Sequence, residues 1–158
     1  MKVNKNQPSN TERPEIAAML DETAWTHEFS WSQLLVLSHY FELCQIPSSC
    51  LIYDEGDAGD AMAILIKGLA EISKQGKTLA QLKPGRTFGE MSLLDGQPRS
   101  ASVIAVKDCL YLKMPRSHFN ALIQEHPALA VKLLLKIGGL LSQALRLTSG
   151  QLCETLTD

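Results

Sequence analysis

Apolar and polar residues change their period twice along the chain, and the two changes divide it into three parts. In the first part, apolar residues recur at helical spacing from Pro14, and Pro47 ends the pattern. A proline in the first turn of one helix and Ser30, a serine able to cap the next helix, are typical helix starts. The spacing therefore predicts helices within 14–45.

The middle part consists of short apolar or β-branched segments separated by glycine-bearing turns such as EGDAGD, KQGK and KPGR. Closely spaced short strands with such turns indicate antiparallel pairing rather than alternating strands and helices. The pattern predicts an α+β fold, mainly β, with an antiparallel sandwich or barrel over 50–115. Its predicted strands are CLIYD, AMAILIK, LAEIS, KTLAQL, ASVIAV and CLYLKM.

The last part returns to helical spacing and predicts C-terminal helices over 116–153. Apolar residues of the long final helix form a seam with alternating spacings of four and three. Such a seam is equally typical of packing on the sheets and of pairing with a second copy in a homodimer. Gly138 and Gly139 in its middle indicate a bend, a close contact or a weaker helix. The seam consists of Leu133, Ile137, Leu140, Ala144 and Leu147.

Length and composition are those of a single globular domain, which we expect over 13–158. The polar stretch 1–12 shows no periodicity and is predicted to be a disordered tail. The formal net charge of -2 gives no basic field, so a nucleic-acid polymer is not an expected partner.

The four cysteines show neither C-x-x-C spacing nor histidines at zinc-ligand spacing, which predicts reduced thiols and no metal site. The N-terminus has no apolar signal core, and the richest apolar run, VKLLLKIGGLL, is short and interrupted by lysine. We therefore expect a cytoplasmic protein that has no membrane partner.

The stretch FGEMSLLDGQPRSASV places an acid, Glu90, and a base, Arg99, at the two ends of a tight loop. A short helical turn after Gly89 would present backbone N–H groups to an anion. The guanidinium of Arg99 would add a planar set of donors suited to phosphate. A ribose phosphate fits this chemistry, because its hydroxyl can donate to the carboxylate. An exposed ion pair in a loop is the simpler interpretation.

The same stretch resembles the phosphate-binding cassette of cyclic nucleotide-binding domains. This family includes the bacterial catabolite activator protein and the regulatory subunits of cAMP-dependent kinase. EGDAGDAMAILIKGLAEIS resembles the paired strands upstream of the cassette, and HFNALIQEHPALA resembles the helices downstream. The resemblance covers about 29–147. It implies a jelly roll, or double-stranded β-helix, with helices on both sides of it in sequence.

The resemblance also implies which residues hold the ligand. Gly89 and Glu90 would hold the ribose 2′-hydroxyl, while Arg99, Ser100 and the amides of the turn would hold the cyclic phosphate. No residue is implied to be catalytic. The implied ligand-binding residues are Gly89, Glu90, Met91, Ser92, Arg99, Ser100 and Ala101.

The nucleobase is less strongly implied than the sugar phosphate. Serine, as in Ser100, follows the cassette arginine in cAMP-binding members of the family, whereas threonine there often accompanies a preference for cGMP. We therefore expect cAMP more than cGMP as the ligand, with no other cofactor. Thr148 and Ser149 near the end of the final helix either contact the base or form a polar helix end.

The resemblance implies a regulatory module rather than an enzyme. We expect a free-standing sensor without a DNA-binding domain, whose C-terminal helices move on nucleotide binding and act on a homodimer partner or a separate effector protein. A metal-dependent enzyme would need clustered ligands, whereas His27, His39, His118 and His126 are scattered over predicted helices. The alternative is a protein-interaction module of the same fold that does not bind nucleotide.

Overall fold

The computed structural model describes residues 13–157, so the predicted disordered tail at 1–12 lies outside the described residues. The chain divides into two compact units, one ending at Ala121 and the other starting at Leu122. The single domain expected over 13–158 stays a prediction.

The N-terminal helices begin as their sequence predicts. Helix α1 is Pro14–Asp21, with proline in its first turn, and a 3₁₀ helix, Ala24–Thr26, follows it. Helix α2 is Trp31–Ser38 and is capped by Ser30, whose hydroxyl accepts from the Gln33 N–H at 3.2 Å. The Ser30 N–H in turn donates to the Gln33 side chain at 2.9 Å, which completes a capping box.

The prediction of helix as far as residue 45 is wrong. Helix α2 ends at Ser38, and strand β1 is Glu42–Ile46. Exposure alternates between neighbouring residues of β1, as it does in a strand with one covered face. Its backbone pairs antiparallel with another strand, Cys109–Pro115, so that Leu43 lies opposite Leu112. These long-range backbone hydrogen bonds outweigh the local spacing that favoured helix.

The strands form two antiparallel four-stranded sheets. After β1, the strands in chain order are β2 Leu51–Tyr53, β3 Ala61–Lys67, β4 Ala70–Lys74, β5 Lys77–Leu82, β6 Thr87–Phe88, β7 Ser102–Ala105 and β8 Cys109–Pro115. From edge to edge, the order of neighbouring strands is β1-β8-β3-β6 in one sheet and β2-β7-β4-β5 in the other. The predicted class, mainly β with flanking helices and a long C-terminal helix, is confirmed, although among the described residues the sheets do not close into one barrel.

The core lies where residues of both sheets meet. Strand β3 lies between β8 and β6, and all of its residues from Ala61 to Leu65 are buried. An unbroken apolar run suits a strand that is covered on both faces. Residues of β3 and Phe88 of β6 form a buried cluster on one sheet, and Val103 and Ala105 of β7 pack into it from the other sheet. This cluster fixes the strand ends from which the cassette loop departs.

Three further helices complete the described chain: α3 Glu90–Asp95, α4 Arg116–Glu125 and α5 Pro127–Thr157. Helix α5 passes through Gly138 and Gly139 without interruption. A Cβ added at either glycine would meet nothing within 4 Å, so neither glycine is there to permit a close contact. Of the predicted seam, Leu133 and Ile137 are buried, whereas Leu147 is exposed.

Helix α5 is longer than the apolar run from which a membrane span was excluded. Among residues 13–157, α5 is the one helix that is long enough and apolar enough to cross a membrane, judged by length and composition alone. Because α5 has 31 residues, the argument that this segment is too short to span a membrane no longer holds. One such helix is a weak indication of a membrane span, because core helices of soluble proteins meet the same criterion.

Candidate functional site

The cassette loop begins with a left-handed glycine. Gly89 has φ +75° and precedes α3, and Gly96 with φ +67° ends that helix. Residues with a Cβ are strained in this region of backbone space. A Cβ at Gly89 would also collide with Arg99 Nη1 and lie 3.0 Å from the Ala61 carbonyl oxygen. Gly89 therefore lets the backbone approach the arginine closely.

Arg99 is a buried cation, with only 5% of its surface exposed. Its Nη1 donates to the Gly89 carbonyl oxygen at 3.2 Å. Its Nη2 lies 3.9 Å from Oδ1 of Asp60, whose side chain is 76% exposed. The backbone holds the residue in place, because the Arg99 N–H donates to the Asp57 carbonyl at 2.8 Å and its carbonyl accepts from Gly56 at 2.9 Å.

Several buried polar atoms beside Arg99 have no hydrogen-bond partner within the described part of the chain. They are Arg99 Nε, Arg99 Nη2, Glu90 Oε2 and Tyr53 Oη. An unsatisfied buried polar group costs about 1–3 kcal/mol, and a charged group costs more. Unpaired donors on a cation and an unpaired acceptor on an acid define a site that can take up an anion carrying a hydroxyl.

These atoms belong to residues around one pocket of ≈ 170 Å³. All seven residues predicted to bind ligand line it, so the structure brings them together. Ser92 and Arg99 are buried, whereas Met91 and Ser100 are exposed. Sequence reasoning missed five lining residues: Tyr53, Ile72, Thr87, Phe88 and Val103.

Tyr53 is the missed residue with the most direct contact to Arg99. The Cζ of the guanidinium lies 3.6 Å from the centroid of the tyrosine ring. Tyr53 pairs with Val103 across strands β2 and β7, and this pairing brings it next to Arg99, which lies 46 positions later in the sequence. The only local signal was an aromatic residue near the end of a predicted strand, two positions before the turn EGDAGD begins.

Burial in the pocket opposes ionisation of Glu90. Burial raises the pKa of Glu90 above its ordinary value of 4.5, while its own backbone N–H and the Arg99 charge act in the opposite direction. Burial also raises the pKa of Tyr53 to about 12, with a smaller opposing effect from Arg99. The tyrosine hydroxyl is therefore a protonated donor at neutral pH.

The residues outside the pocket that the sequence singled out have other contacts. Thr148 and Ser149 are exposed on α5, and the Thr148 hydroxyl donates to the Ala144 carbonyl at 3.0 Å. Because α5 continues to Thr157, the two residues lie within the helix, and the interpretation of them as a polar helix end is wrong. Nδ1 of His118 lies 3.1 Å from the Tyr40 carbonyl.

In residues 13–157 no group of three or more His, Cys, Asp or Glu side chains is placed to hold a metal ion.

The contact between Gly89 and Arg99 can be tested by alanine substitution with a matched control. Gly76 has φ +76° and nothing within 4 Å of an added Cβ, whereas Gly89 has the same φ but a close neighbour. Gly76→Ala should lose about 1–2 kcal/mol of unfolding free energy from backbone strain. Gly89→Ala should lose about 1–3 kcal/mol more, because overpacking displaces the guanidinium. Equal losses in urea denaturation would contradict a steric role for Gly89.

The direction of the Glu90 pKa predicts how stability depends on pH. Since the folded-state pKa is raised, charging Glu90 destabilises the native state as pH rises from about 4.5 through the folded pKa. Unliganded Glu90→Gln should therefore be more stable than wild type at pH 7, and the difference should close as pH falls towards 4.5. Glu22→Gln, which removes an exposed acid, is the control. A wild-type advantage at pH 7 in thermal unfolding would contradict this electrostatic description.

Comparison with known proteins gives the same result from two directions. The family model of the cyclic nucleotide-binding domain matches residues 43–126, more than half of the chain. The cyclic AMP receptor protein of Thermus thermophilus is 40% identical over 96 residues, which cover 58% of this chain and 44% of that protein. This chain therefore spans less than half of that relative's length.

Two solved structures share the fold at moderate sequence identity. A cyclic nucleotide-binding domain from Methylobacillus flagellatus superimposes with a TM-score of 0.78 at 27% identity, covering 89% of this chain and 82% of that one. The catabolite activator protein of Thermus thermophilus gives 0.72 at 32% identity, covering 83% and 62%. The family predicted from the cassette is thus confirmed: the chain belongs to the cyclic nucleotide-binding domain family.

Proposed function

We propose that the pocket beside Arg99 binds a cyclic nucleotide and that the chain acts as a cyclic nucleotide sensor. The observation that carries the proposal is the set of buried polar atoms without partners, on a cation and an acid that line one pocket. A buried guanidinium with free in-plane donors is costly in a protein that has no anion to bind.

The cyclic phosphate is assigned to Arg99. Its Nε and Nη2 have no hydrogen-bond acceptor among the described side chains and main chain, and they form one planar pair of donors. Guanidinium groups bind phosphate through such pairs with charge-assisted hydrogen bonds. Met91 and Ser92 in the first turn of α3, and Ser100 and Ala101 after Arg99, line the same pocket, and we assign their amides as further donors.

The ribose is assigned to Gly89 and Glu90. Oε2 of Glu90 is buried without a donor in the part of the chain described, and the carboxylate faces a pocket that also holds Arg99. A 3′,5′-cyclic nucleotide keeps its 2′-hydroxyl free, and that hydroxyl can donate to the carboxylate. The hydrogen bond stabilises the charged form of Glu90, which burial opposes.

For the base we propose adenine over guanine. Ser100 follows the arginine where threonine would favour cGMP in this family, and the Thermus relative that is 40% identical is named a cyclic AMP receptor protein. Thr148 and Ser149, which the sequence offered as candidates for the base contact, lie in the second compact unit.

For the output we propose movement of the C-terminal helices on nucleotide binding. Gly138 and Gly139 weaken α5 at its middle by about 1 kcal/mol each relative to alanine. Apart from neighbouring backbone of α5 itself, no atom of residues 13–157 lies within 4 Å of where their Cβ would be, so a bend there meets no packed neighbour among those residues. Leu145, Leu152 and Leu156 beyond the glycines are exposed and are available to a second copy or an effector protein. We place this sensor in the cytoplasm.

Calorimetric titration tests the ligand assignment. Wild type should bind cAMP more tightly than cGMP. Arg99→Ala should lose about 2–5 kcal/mol of binding free energy for cAMP, because the bound phosphate loses its buried cation. That loss corresponds to about 30-fold to several thousand-fold in affinity. Arg86→Ala, which removes an exposed arginine, should leave the affinity within about twofold.

Two results would count against the assignment. Near-wild-type affinity in Arg99→Ala would show that the phosphate lies elsewhere. Failure of wild type to bind either nucleotide would favour the interaction module that does not bind nucleotide.

Helix movement can be followed by distances between spin labels after the four native cysteines are replaced. A pair at Lys74 and Gln143, one exposed site in each compact unit, should change its distance distribution when cAMP saturates the protein. A control pair at Lys74 and Leu43, both in the first unit, should not change. Identical distributions for the first pair with and without cAMP would refute the proposed output.

A further inference from the structure

The guanidinium of Arg99 lies on the face of an aromatic ring that the sequence did not associate with the site. Its Cζ is 3.6 Å from the centroid of the Tyr53 ring, close enough for a strong cation–π contact. We infer that Tyr53 is a positioning residue for the ligand: its ring holds the Arg99 cation by one face and leaves the in-plane N–H donors free for an anion. The inference rests on the proposed function.

The direction of the contact is what makes it useful. The N–H bonds of a guanidinium lie in its plane, whereas a ring below the plane attracts the charge without accepting any of those hydrogens. Nη1 is already used by the Gly89 carbonyl oxygen at 3.2 Å. Nε and Nη2 are buried and find no acceptor among residues 13–157. The ring therefore stabilises the cation while the donors needed by a phosphate stay available.

A carboxylate partner would act differently. It would occupy the same donors, and its negative charge would repel an anionic ligand. Asp60, the acid within 4 Å of Arg99, is 3.9 Å from Nη2 and mostly exposed to solvent, so its attraction is weak. A neutral aromatic platform keeps the positive potential of the pocket. The site should accordingly discriminate against uncharged nucleosides such as adenosine.

Tyr53 is itself held in place by the core. Its ring centroid lies 5.6 Å from that of Phe88, which lies 6.1 Å from that of Tyr111. Tyr53 and Tyr111 both pack against the buried cluster that contains Phe88. Because Phe88, the ring between the two tyrosines, is buried in the core, the Tyr53 ring presents a fixed surface to Arg99. Packing in the core therefore fixes the Tyr53 ring, and the ring in turn fixes the orientation of the guanidinium.

Two substitutions separate the ring from its hydroxyl. Tyr53→Phe keeps the ring and removes an oxygen that has no partner in the described chain, so cAMP affinity should stay within about threefold of wild type. Tyr53→Leu removes the aromatic face and should weaken cAMP binding by about 5- to 30-fold. Equal losses in the two variants would overturn the inference, because the hydroxyl and not the ring would then be responsible.

Varying the electron density of the ring while keeping its shape separates a cation–π contact from simple packing. Phenylalanines carrying one, two and three fluorines at position 53 keep the ring shape while withdrawing electron density from its face. The cAMP affinity measured by calorimetry should fall with each added fluorine, since a cation–π contact depends on that density. Thermal unfolding of each unliganded variant checks that the fold is intact. An affinity that is constant across the fluorine series would overturn the inference.

Failure of the inference and failure of the proposed function are distinguishable. If wild type binds cAMP but the fluorine series is flat, only the role of Tyr53 fails. If wild type does not bind cAMP, the proposed function fails, and the unliganded NMR spectrum decides the positioning role. A ring face shifts the Arg99 Nε–H resonance, so the resonance should move in Tyr53→Leu and remain near its wild-type position in Tyr53→Phe. No movement in Tyr53→Leu would overturn the inference.

Discussion

A positive charge kept out of water is the constraint around which the first compact unit is arranged. Arg99 is 5% exposed, and a buried cation without a matched anion destabilises a folded protein unless other groups offset its desolvation. The protein offsets part of it with the Gly89 carbonyl, a ring face and Asp60, an exposed acid 3.9 Å from Nη2. None of these accepts a hydrogen bond from Nε or Nη2. The residual cost is what a cyclic phosphate would remove on binding.

The fold explains how residues far apart in sequence reach this charge. Strand β2 positions Tyr53 through its pairing with β7, and β6 ends at Phe88, immediately before the left-handed Gly89 that precedes α3. The loop carrying Arg99 returns directly to β7. The core between the two sheets fixes these strand ends, and the cassette loop that supplies most of the site is anchored between them. Its acid, Glu90, is drawn into the same low-dielectric region, where burial opposes its charge.

The sequence predicted those features that depend on local chemistry. Glycines, the acid and the arginine of the cassette are close in the chain, so their meeting required only a turn, and all seven predicted residues line one pocket. The strand β1 and the residue Tyr53 depend instead on pairing with strands more than 45 residues away. Spacing within a short window cannot show such pairing, and for β1 it favoured helix. Likewise, the length of α5 exceeded that of its richest apolar run, because polar residues such as Ser142 and Gln143 continue the helix.

The central claim is that the free donors of Arg99 hold the phosphate of a cyclic nucleotide. NMR of ¹⁵N-labelled protein observes those donors directly, because a hydrogen bond from the guanidinium to phosphate produces a scalar coupling between ¹⁵N and ³¹P. With saturating cAMP, the Arg99 Nε–H resonance should shift, and such a coupling should appear at Nε or Nη2. Bound cAMP, shown by shifts elsewhere in the spectrum, with an unchanged and uncoupled Arg99 guanidinium would contradict it.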